Sequence, residues 1–221
     1  MQIKTTYIGH MGSDLSVANA ARVSFGKTSE MDTSDPFGPP KLKEKDAKLI
    51  RYLADHSHIS PFGHCFISVH VKSPVFVARQ LVKHKFLRWN EISRRYVDDE
   101  PEFYVPDDWR GRSEDKKQGS DGVVTVGVHN NALYGYQESV YQRLLKLNVA
   151  PEQARMVLPQ SMMTEWYWSG SLDAFADMCD LRCTTDTQTE TREVAQRINS
   201  EMELLFPVSW VSLMGSLEWI G

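Results

Sequence analysis

Cysteine is scarce in this chain, which has three in all: Cys65, Cys179 and Cys183. They form no even disulfide framework, and the pair at 179 and 183 lacks the spacing of a zinc-binding knuckle. We therefore expect reduced thiols and a cytoplasmic location.

Long apolar runs are missing as well, because no stretch approaches the ~20 residues of a membrane-spanning helix. The first residues lack the apolar core of a signal peptide, so we expect no membrane association.

The chain also has no excess of positive charge. Its formal net charge is −4, whereas domains that bind nucleic acids are usually basic, so we expect no nucleic-acid partner. No Gly-x-Gly-x-x-Gly segment occurs, and a Rossmann dinucleotide site is therefore not indicated. Of the 221 residues, 41% are hydrophobic and 24% are charged. This composition and length predict a single globular domain over 1–221.

Strand-like and helix-like periodicities are interspersed along the chain. We predict strands at 2–10, 66–72 and 164–169, a candidate strand at Tyr96, and helices at 13–22, 43–56, 75–85, 128–147, 151–158, 171–181 and 186–205. The segment 86–95 is predicted to be a loop, and the polar, glycine-rich segment 111–122 a mobile loop. Trp166 and Trp168 are predicted to pack against a sheet. Few strands have the helical crossover of a parallel sheet, so we predict an α+β fold with a mostly antiparallel sheet flanked by helices.

Cations are concentrated in one stretch of this acidic chain, residues 79–96. It holds six lysines or arginines, one histidine and one carboxylate. Lysine and arginine make charge-assisted hydrogen bonds to phosphate oxygens. The side chains of Gln80, Asn90 and Ser93 suit the polar edge of a base. The residues alone leave two interpretations open, a nucleotide site or a solvated basic helix face.

The segments at 58–64, 83–93, 154–159 and 181–190 resemble, in this order, the motifs of the flavin-dependent thymidylate synthases (the ThyX family). Lys83-His84-Lys85, followed after seven residues by Ser93, is similar to the family signature Arg-His-Arg, seven residues, Ser. The turn at 58–64 is similar to its His-x-Ser/Thr-Pro-Phe-x-His. The segment 154–159 is similar to its Ala-Arg-x-x-Leu-Pro, and the segment 181–190 to its Leu-Arg followed by Gln-x-Glu. Four matches in family order identify the chain as a member by resemblance.

The resemblance implies a ThyX-like fold and the conversion of dUMP to dTMP. Methylenetetrahydrofolate would supply the carbon, and NADPH would reduce a bound FAD that carries the hydride. The family requires no sulfur nucleophile, which agrees with the lack of a recognisable nucleophile motif around the three cysteines. The resemblance also implies a homotetramer with FAD between subunits.

Roles for individual residues follow from the same resemblance. Arg182, against the uracil edge, would be the principal catalytic residue, because its charge would favour the ionised form of the ring. The dUMP-binding residues would be Gln80, Lys83, Glu91, Ser93, Arg94, Arg95, Arg155 and Arg182. The FAD-binding residues would be His58, Ser60, Lys83, His84, Lys85, Glu91, Ser171, Asp177 and Asp186. Ser93 is assigned to binding rather than to nucleophilic attack, because the sequence places no general base beside it.

The chain departs from the family pattern at several of these positions. Lys83 and Lys85 replace arginines, which keeps the charge but loses the bidentate fork of a guanidinium. Ser171 and Asp177 stand where members often carry Asn or His near the adenosine, and Asp186 stands where a histidine near the flavin is common. These departures predict altered contacts to FAD. They also leave open a product that stops at 5-hydroxymethyl-dUMP.

Other functions remain open on the residues alone. A non-enzymatic nucleic-acid binder would use 83–95, with Phe86 and Trp89 stacking on bases. A degenerate family member would bind nucleotide without turnover. The histidines at positions 56, 58, 64 and 70 suggest a metal, but their spacing crosses a helix end, a turn and a strand without completing a ligand pattern. We therefore expect no metal site.

Overall fold

The computed structural model describes residues 2–113, 119–127 and 130–215. Its strands are β1 (Lys4–Met11), β2 (Phe66–Pro74), β3 (Arg88–Glu91), β4 (Trp109–Arg112), β5 (Ser120–Val124) and β6 (Met163–Ser171). Its helices are α1 (Asp14–Arg22), α2 (Glu44–Asp55), α3 (Val75–Leu81), α4 (Asn130–Lys146), α5 (Pro151–Ala154), α6 (Leu172–Arg182), α7 (Thr189–Leu205) and α8 (Ser209–Met214). Short 3-10 turns lie at Val23–Phe25, Ser60–His64 and Arg155–Val157. None of the described helices is both long enough and apolar enough to cross a membrane.

Four strands form one antiparallel sheet in the order β1-β2-β6-β3. Strand β6 lies between β2 and β3, so Trp168 faces Val69 on one side and Trp89 on the other. Strands β4 and β5 form a separate antiparallel hairpin. The predicted α+β fold with an antiparallel sheet and flanking helices is confirmed.

One face of the sheet carries the core. The side chains of Ile67, Val69 and Val71 on β2 are fully buried, as the alternation of apolar and polar residues predicts. On β6, Trp166 and Trp168 are each 1% exposed, which confirms that they pack against the sheet. Helices α3, α6 and α7 contact the sheet strands. The helices that carry Gln80, Asp177 and Arg182 are therefore fixed to the core.

The structure corrects the prediction around the basic stretch. Helix α3 ends at Leu81 rather than at 85, and the segment 86–95, predicted to be a loop, contains β3. Tyr96 is in a turn and not in a strand, since its backbone N–H donates to the carbonyl oxygen of Ser93 at 3.0 Å. Strand β3 forms because its backbone pairs with β6, which is far away in sequence. The local pattern of apolar and polar residues does not indicate such a long-range pairing.

Other boundaries also differ from the prediction: the helix predicted at 151–158 is α5 followed by the 3-10 turn Arg155–Val157. The ends of the segment 111–122 belong to β4 and β5. Its residues 114–118 lie outside the described residues, and its mobility stays a prediction. The predicted start of the helix at 128–147 falls on residues 128–129, which lie outside the described residues. The last long helix begins at Thr189 rather than at 186. Helix α8 was not indicated by the sequence pattern.

A buried ionic contact ties α1 and α2 to the loop at 28–40. Asp46 on α2 is fully buried, and its Oδ1 lies 2.5 Å from Nη2 and 2.7 Å from Nε of Arg22. The Ser29 hydroxyl donates to Oδ2 of Asp46 at 2.5 Å. The side chain of Asn19 bonds both backbone groups of Ser29, at 2.7 and 3.0 Å. Both oxygens of the carboxylate are therefore paired, as a buried charge requires.

Candidate active site

An open cavity of about 990 Å³ lies beside the first residues of β6. The end of β3 and the turn after it form one wall, and the segment 152–159 forms another. The charged residues that line the cavity are Lys72, Arg79, Glu91, Arg94, Asp99, Glu100, Glu102, Glu152, Arg155 and Glu165. Cations and carboxylates together suit a ligand that carries both an anionic group and hydrogen-bond donors.

Part of the predicted dUMP-binding set meets in this cavity: Glu91, Ser93, Arg94 and Arg155 line it. Arg95 lies close by, with its Nε 3.7 Å from Oε2 of Glu152. Nε of Arg155 donates to the backbone oxygen of Glu152 at 3.3 Å, which leaves the terminal amino groups of this exposed side chain for other partners. The remaining members of the predicted set, Gln80, Lys83 and Arg182, are not among the lining residues.

The carboxylate of Glu91 is held by the sheet. Thr164 Oγ1 donates to Oε1 of Glu91 at 2.6 Å. The indole Nε1 of Trp89 donates to Oε2 at 3.2 Å. The contact with Thr164 depends on the pairing of β3 with β6, whereas Trp89 and Glu91 are two residues apart on β3 and their side chains therefore share one face of the strand. A carboxylate fixed at both oxygens offers its remaining lone pairs to a ligand in a set direction.

The turn after β3 holds its own polar side chains. The backbone N–H of Arg95 donates to Oγ of Ser93 at 3.3 Å. Arg94 donates through Nη1 to the backbone oxygen of Asp99. In the part of the chain that the structure describes, no imidazole or carboxylate is hydrogen-bonded to the Ser93 hydroxyl. This arrangement agrees with a binding role for Ser93, which stays a prediction.

Arg182 and His84 are in direct contact, although they are far apart in sequence. Nε of Arg182 donates to Nε2 of His84 at 3.0 Å. Burial, together with the positive charge of Arg182, lowers the pKa of His84 to about 4. The imidazole is therefore neutral at pH 7 and carries its proton on Nδ1. Burial lowers the pKa of Arg182, but a guanidinium keeps its charge. The contact occupies Nε and leaves both Nη groups free of hydrogen bonds to the described residues.

The low pKa of His84 predicts an acid-dependent loss of stability. Above pH 6.5 the ring is neutral in both the folded and the unfolded chain. As the pH falls from 6.5 toward 4, His84 becomes protonated in the unfolded chain but stays neutral in the folded chain. The free energy of unfolding therefore decreases. Urea unfolding at pH 7 and pH 5 should show a larger decrease for wild type than for H84Q, whose amide oxygen can still accept from Arg182. Equal decreases in wild type and H84Q would contradict the lowered pKa of His84.

A second pair of hydrogen bonds joins α3 to the start of α7. Nε2 of Gln80 donates to Oε1 of Gln188 at 2.5 Å. Nε2 of Gln188 donates to Oε2 of Glu190 at 3.1 Å. The segment between α6 and α7 is also held internally, since the Thr187 hydroxyl donates to the backbone oxygen of Leu181 at 3.2 Å. Gln80 and Arg182, both predicted to contact dUMP, are thus positioned by the same connection.

The residues predicted to bind FAD fall into two groups. His58, Ser60, Lys83 and Lys85 are exposed in turns. Ser171 is the N-cap residue of α6, Asp177 lies on the exposed side of that helix, and Asp186 is exposed between α6 and α7. Burial raises the pKa of Asp177, and the neighbouring charges of Asp173 and Asp180 raise it further. Helix α6 is therefore acidic where the adenosine part of FAD was expected.

The chemistry of these side chains fits FAD. The exposed ammonium groups of Lys83 and Lys85 supply the positive charge that a diphosphate requires. On α6, Oδ1 of Asp173 is buried without a hydrogen-bond partner among the described residues. A carboxylate oxygen accepts hydrogen bonds from hydroxyl and amino groups, which ribose and adenine carry. Among the same residues, no group of three or more His, Cys, Asp and Glu side chains is arranged to hold a metal ion.

Several residues at the cavity were not assigned from the sequence. Lys72 and Glu165 are opposite each other in the β2–β6 register and both line the cavity. Arg79 also lines it. For Arg79 a signal exists, since it lies one helical turn before Lys83 within the basic stretch. The role of Thr164 as a donor to Glu91 depends on strand pairing, and no sequence signal indicates it.

Comparison with protein families agrees with this geometry. Residues 6–208 match the family described as thymidylate synthase complementing protein. A flavin-dependent thymidylate synthase from Thermosipho melanesiensis is 38% identical over 194 residues, which cover 85% of this chain and 80% of that protein. The flavin-dependent thymidylate synthase of Kosmotoga olearia is 35% identical over 210 residues, with 92% and 86% coverage. One from Thermus thermophilus is 36% identical over 208 residues, with 93% and 73% coverage.

Two solved structures of one methylase have a fold similar to that of this chain. The UMP/dUMP methylase PolB from Streptomyces cacaoi, bound with 5-Br UMP, has a TM-score of 0.81 and 30% sequence identity, and the match covers 95% of this chain and 92% of that chain. The same methylase bound with 5-Br dUMP has a TM-score of 0.78 and 31% identity, with 95% and 94% coverage. The present chain is therefore similar in fold to a nucleotide methylase along almost its whole length.

Proposed function

Because the chain belongs to the thymidylate synthase complementing protein family, we propose that it is a flavin-dependent thymidylate synthase that converts dUMP to dTMP. Its relatives with this activity match along most of their length. We further propose that methylenetetrahydrofolate supplies the carbon and that NADPH is the reductant. The observation that supports this function best is the contact between Arg182 and His84.

The guanidinium of Arg182 is suited to stabilise negative charge that develops on the uracil ring. It is half-buried, and its orientation is fixed through Nε by the neutral ring of His84. A charge fixed before the reaction needs no reorganisation when the substrate becomes anionic, which makes it effective in the transition state. Arg182 is therefore proposed as the principal catalytic residue, with His84 as its positioning residue.

The cavity residues are proposed to bind the nucleotide. Arg155 and Arg94, with Arg95 beside them, provide positive charge for the phosphate. Glu91, held by Thr164, can accept a hydrogen bond from a hydroxyl or amino group. Gln80, Lys83 and Ser93 complete the proposed dUMP set. Lys83 and Arg182 do not line the cavity. We therefore propose that the phosphate binds in the cavity and that the base binds outside it, beside Arg182.

FAD is proposed to be held by residues of the two exposed turns and of α6. Lys83, Lys85 and His84 would contact it, together with His58, Ser60 and Glu91. Ser171, Asp177 and Asp186 are proposed for its adenosine and flavin parts. When bound, FAD supplies the hydride transfer that no amino-acid side chain can perform.

We also propose that the chain forms one domain, that it acts as a homotetramer with FAD between subunits, and that it works in the cytoplasm.

The proposed reaction uses no cysteine nucleophile. Cys65 and Cys179 are fully buried, and Cys183 is 5% exposed. Burial raises the pKa of the Cys65 thiol to about 11, and it also raises that of Cys179. Each single replacement, C65A, C179A and C183A, is therefore expected to keep the rate of dTMP formation within about threefold of wild type, because none of these thiols attacks the substrate. A more than hundredfold loss in a variant that remains folded would contradict this mechanism.

The flavin band in the visible absorption spectrum tests the function as a whole. The band should appear when FAD is added to the purified protein and should bleach with NADPH, faster when dUMP is present. A protein that binds no flavin and instead binds oligonucleotides with steep salt dependence would be the nucleic-acid module. Bleaching without any nucleotide product would identify a family member that has lost turnover.

A further inference from the structure

A chain of hydrogen bonds runs from the β4–β5 hairpin to Gln80. Nη2 of Arg110 on β4 contacts Oε1 of Glu190 at 2.5 Å, and Nε of Arg110 donates to Ser120 Oγ on β5 at 2.8 Å. Glu190 accepts from Gln188, and Gln188 accepts from Gln80. This series of hydrogen bonds includes the Gln-x-Glu element at 188–190, to which no role in binding or catalysis has been assigned above.

Glu190 is a buried carboxylate that remains ionised. Its side chain is almost fully buried, which by itself would raise its pKa. The hydrogen bond from Arg110 and the positive charge of that residue outweigh burial, and the pKa of Glu190 is lowered. The hydroxyl of Tyr104 also donates to Oε1, at 3.3 Å. An ionised carboxylate only accepts hydrogen bonds, so every group that contacts Glu190 must present a donor.

This requirement determines the orientation of two amides in succession. Gln188 must direct its NH2 group toward Glu190, and its carbonyl oxygen therefore faces Gln80. Gln80 must then direct its own NH2 group toward Gln188. The carbonyl oxygen of Gln80 is left over, and no hydrogen bond from a described residue occupies it. The charge of Glu190, at one end of this series of hydrogen bonds, thus determines which atom of the Gln80 amide is available at the other end.

We propose that Glu190 is a positioning residue that orients the Gln80 amide so that its oxygen accepts a hydrogen bond from the bound nucleotide. The inference rests on the proposed function, in that Gln80 contacts dUMP. The complementary group is a hydrogen-bond donor, and in dUMP this is either the N3–H of the neutral ring that binds before the reaction or the 3′-hydroxyl. Without the charge at 190, Gln188 and Gln80 can rotate together, and Gln80 can present its NH2 group instead. That group cannot accept a hydrogen bond from either donor.

Calorimetric titration of the FAD-loaded protein tests the proposal, with three ligands: dUMP, N3-methyl-dUMP and 3′-deoxy-dUMP. Wild type should bind dUMP roughly tenfold more tightly than one of the two analogues, which identifies the donor. E190Q should bind dUMP roughly tenfold more weakly than wild type and should bind that analogue with nearly unchanged affinity. Its preference for dUMP over the analogue should therefore disappear. A residue that only stabilises the fold would weaken all three ligands alike.

Two further variants make the test specific. Q188M interrupts the chain without removing the Arg110–Glu190 ion pair, and it should lose the same preference even if E190Q does not fold. Y104F removes one donor to Glu190 but keeps its charge and its contact with Gln188, so it should retain the wild-type preference. The proposal is overturned if wild type does not distinguish the analogues, if Q188M keeps the preference, or if Y104F loses it. A wild-type protein that binds none of the three nucleotides would overturn the proposed function as well.

Discussion

Replacing Arg182 with alanine is expected to lower kcat for dTMP formation by about 10²–10³-fold. The guanidinium is half-buried and already fixed by His84, so its charge is available without rearrangement when the uracil ring becomes anionic. The loss should appear mainly in kcat and less in KM, because the contact strengthens as charge develops. Steady-state assays of R182A with saturating FAD measure both parameters.

Two variants control for charge and for folding. R182K keeps a positive charge but loses the Nε contact with His84, so it should recover only part of the lost rate. Arg51 pairs with Glu44 on the surface of α2, a helix that carries no proposed site residue, and R51A should retain wild-type kcat. If R182A turned over at the wild-type rate, another residue would have to stabilise the charge, and the proposed role of Arg182 would be wrong.

The D46A variant is expected to lose about 3 kcal/mol of unfolding free energy. Asp46 is fully buried and pairs with Arg22 and Ser29. Removing the carboxylate leaves the cation and the hydroxyl without a partner in a region that water reaches poorly. The loop at 28–40 should also lose its side-chain contact with α2, while Asn19 on α1 still holds the backbone of Ser29. Urea unfolding monitored by circular dichroism measures the free energy, and limited proteolysis reports on the loop.

An exposed ion pair on the same helix is the matched control. Glu44 and Arg51 are 2.9 Å apart, and both side chains are more than half exposed. E44A should leave the free energy of unfolding nearly unchanged, because exposed pairs are screened by water. Equal losses in D46A and E44A would show that burial does not determine the contribution of the Asp46 contact.

The elements with a strong local signal were predictable from the sequence. The alternation in β2 fixes its buried face, and the same reasoning applies to Trp166 and Trp168 on β6. Ser171 stands at the N-cap position of α6, although its side chain makes no capping hydrogen bond. Residues of the motifs at 79–96 and 154–159 meet at the cavity, whereas those at 58–64 and 181–190 do not line it, and the roles of all four motifs stay predictions.

The contacts made by tertiary pairing were not predictable. Strand β3 lies in a stretch that reads as a loop, and its existence depends on β6. Thr164 reaches Glu91 only because these two strands are neighbours. Arg110 lies next to the polar, glycine-rich segment 111–122, yet it forms the buried ion pair with Glu190. An arginine in a polar segment can be solvated or can form an ion pair, and the local sequence is similar in both cases. Only the tertiary fold shows which of the two applies to Arg110.

The mass of the nucleotide product tests the central claim most directly. Purified protein with FAD, NADPH, methylenetetrahydrofolate and dUMP should yield a product with the mass and retention time of dTMP, and omitting FAD or the folate should abolish it. A product with the mass of 5-hydroxymethyl-dUMP would show that the reaction stops before the methyl group is formed. Unchanged dUMP, with flavin bound and reduced, would contradict the assignment as a thymidylate synthase.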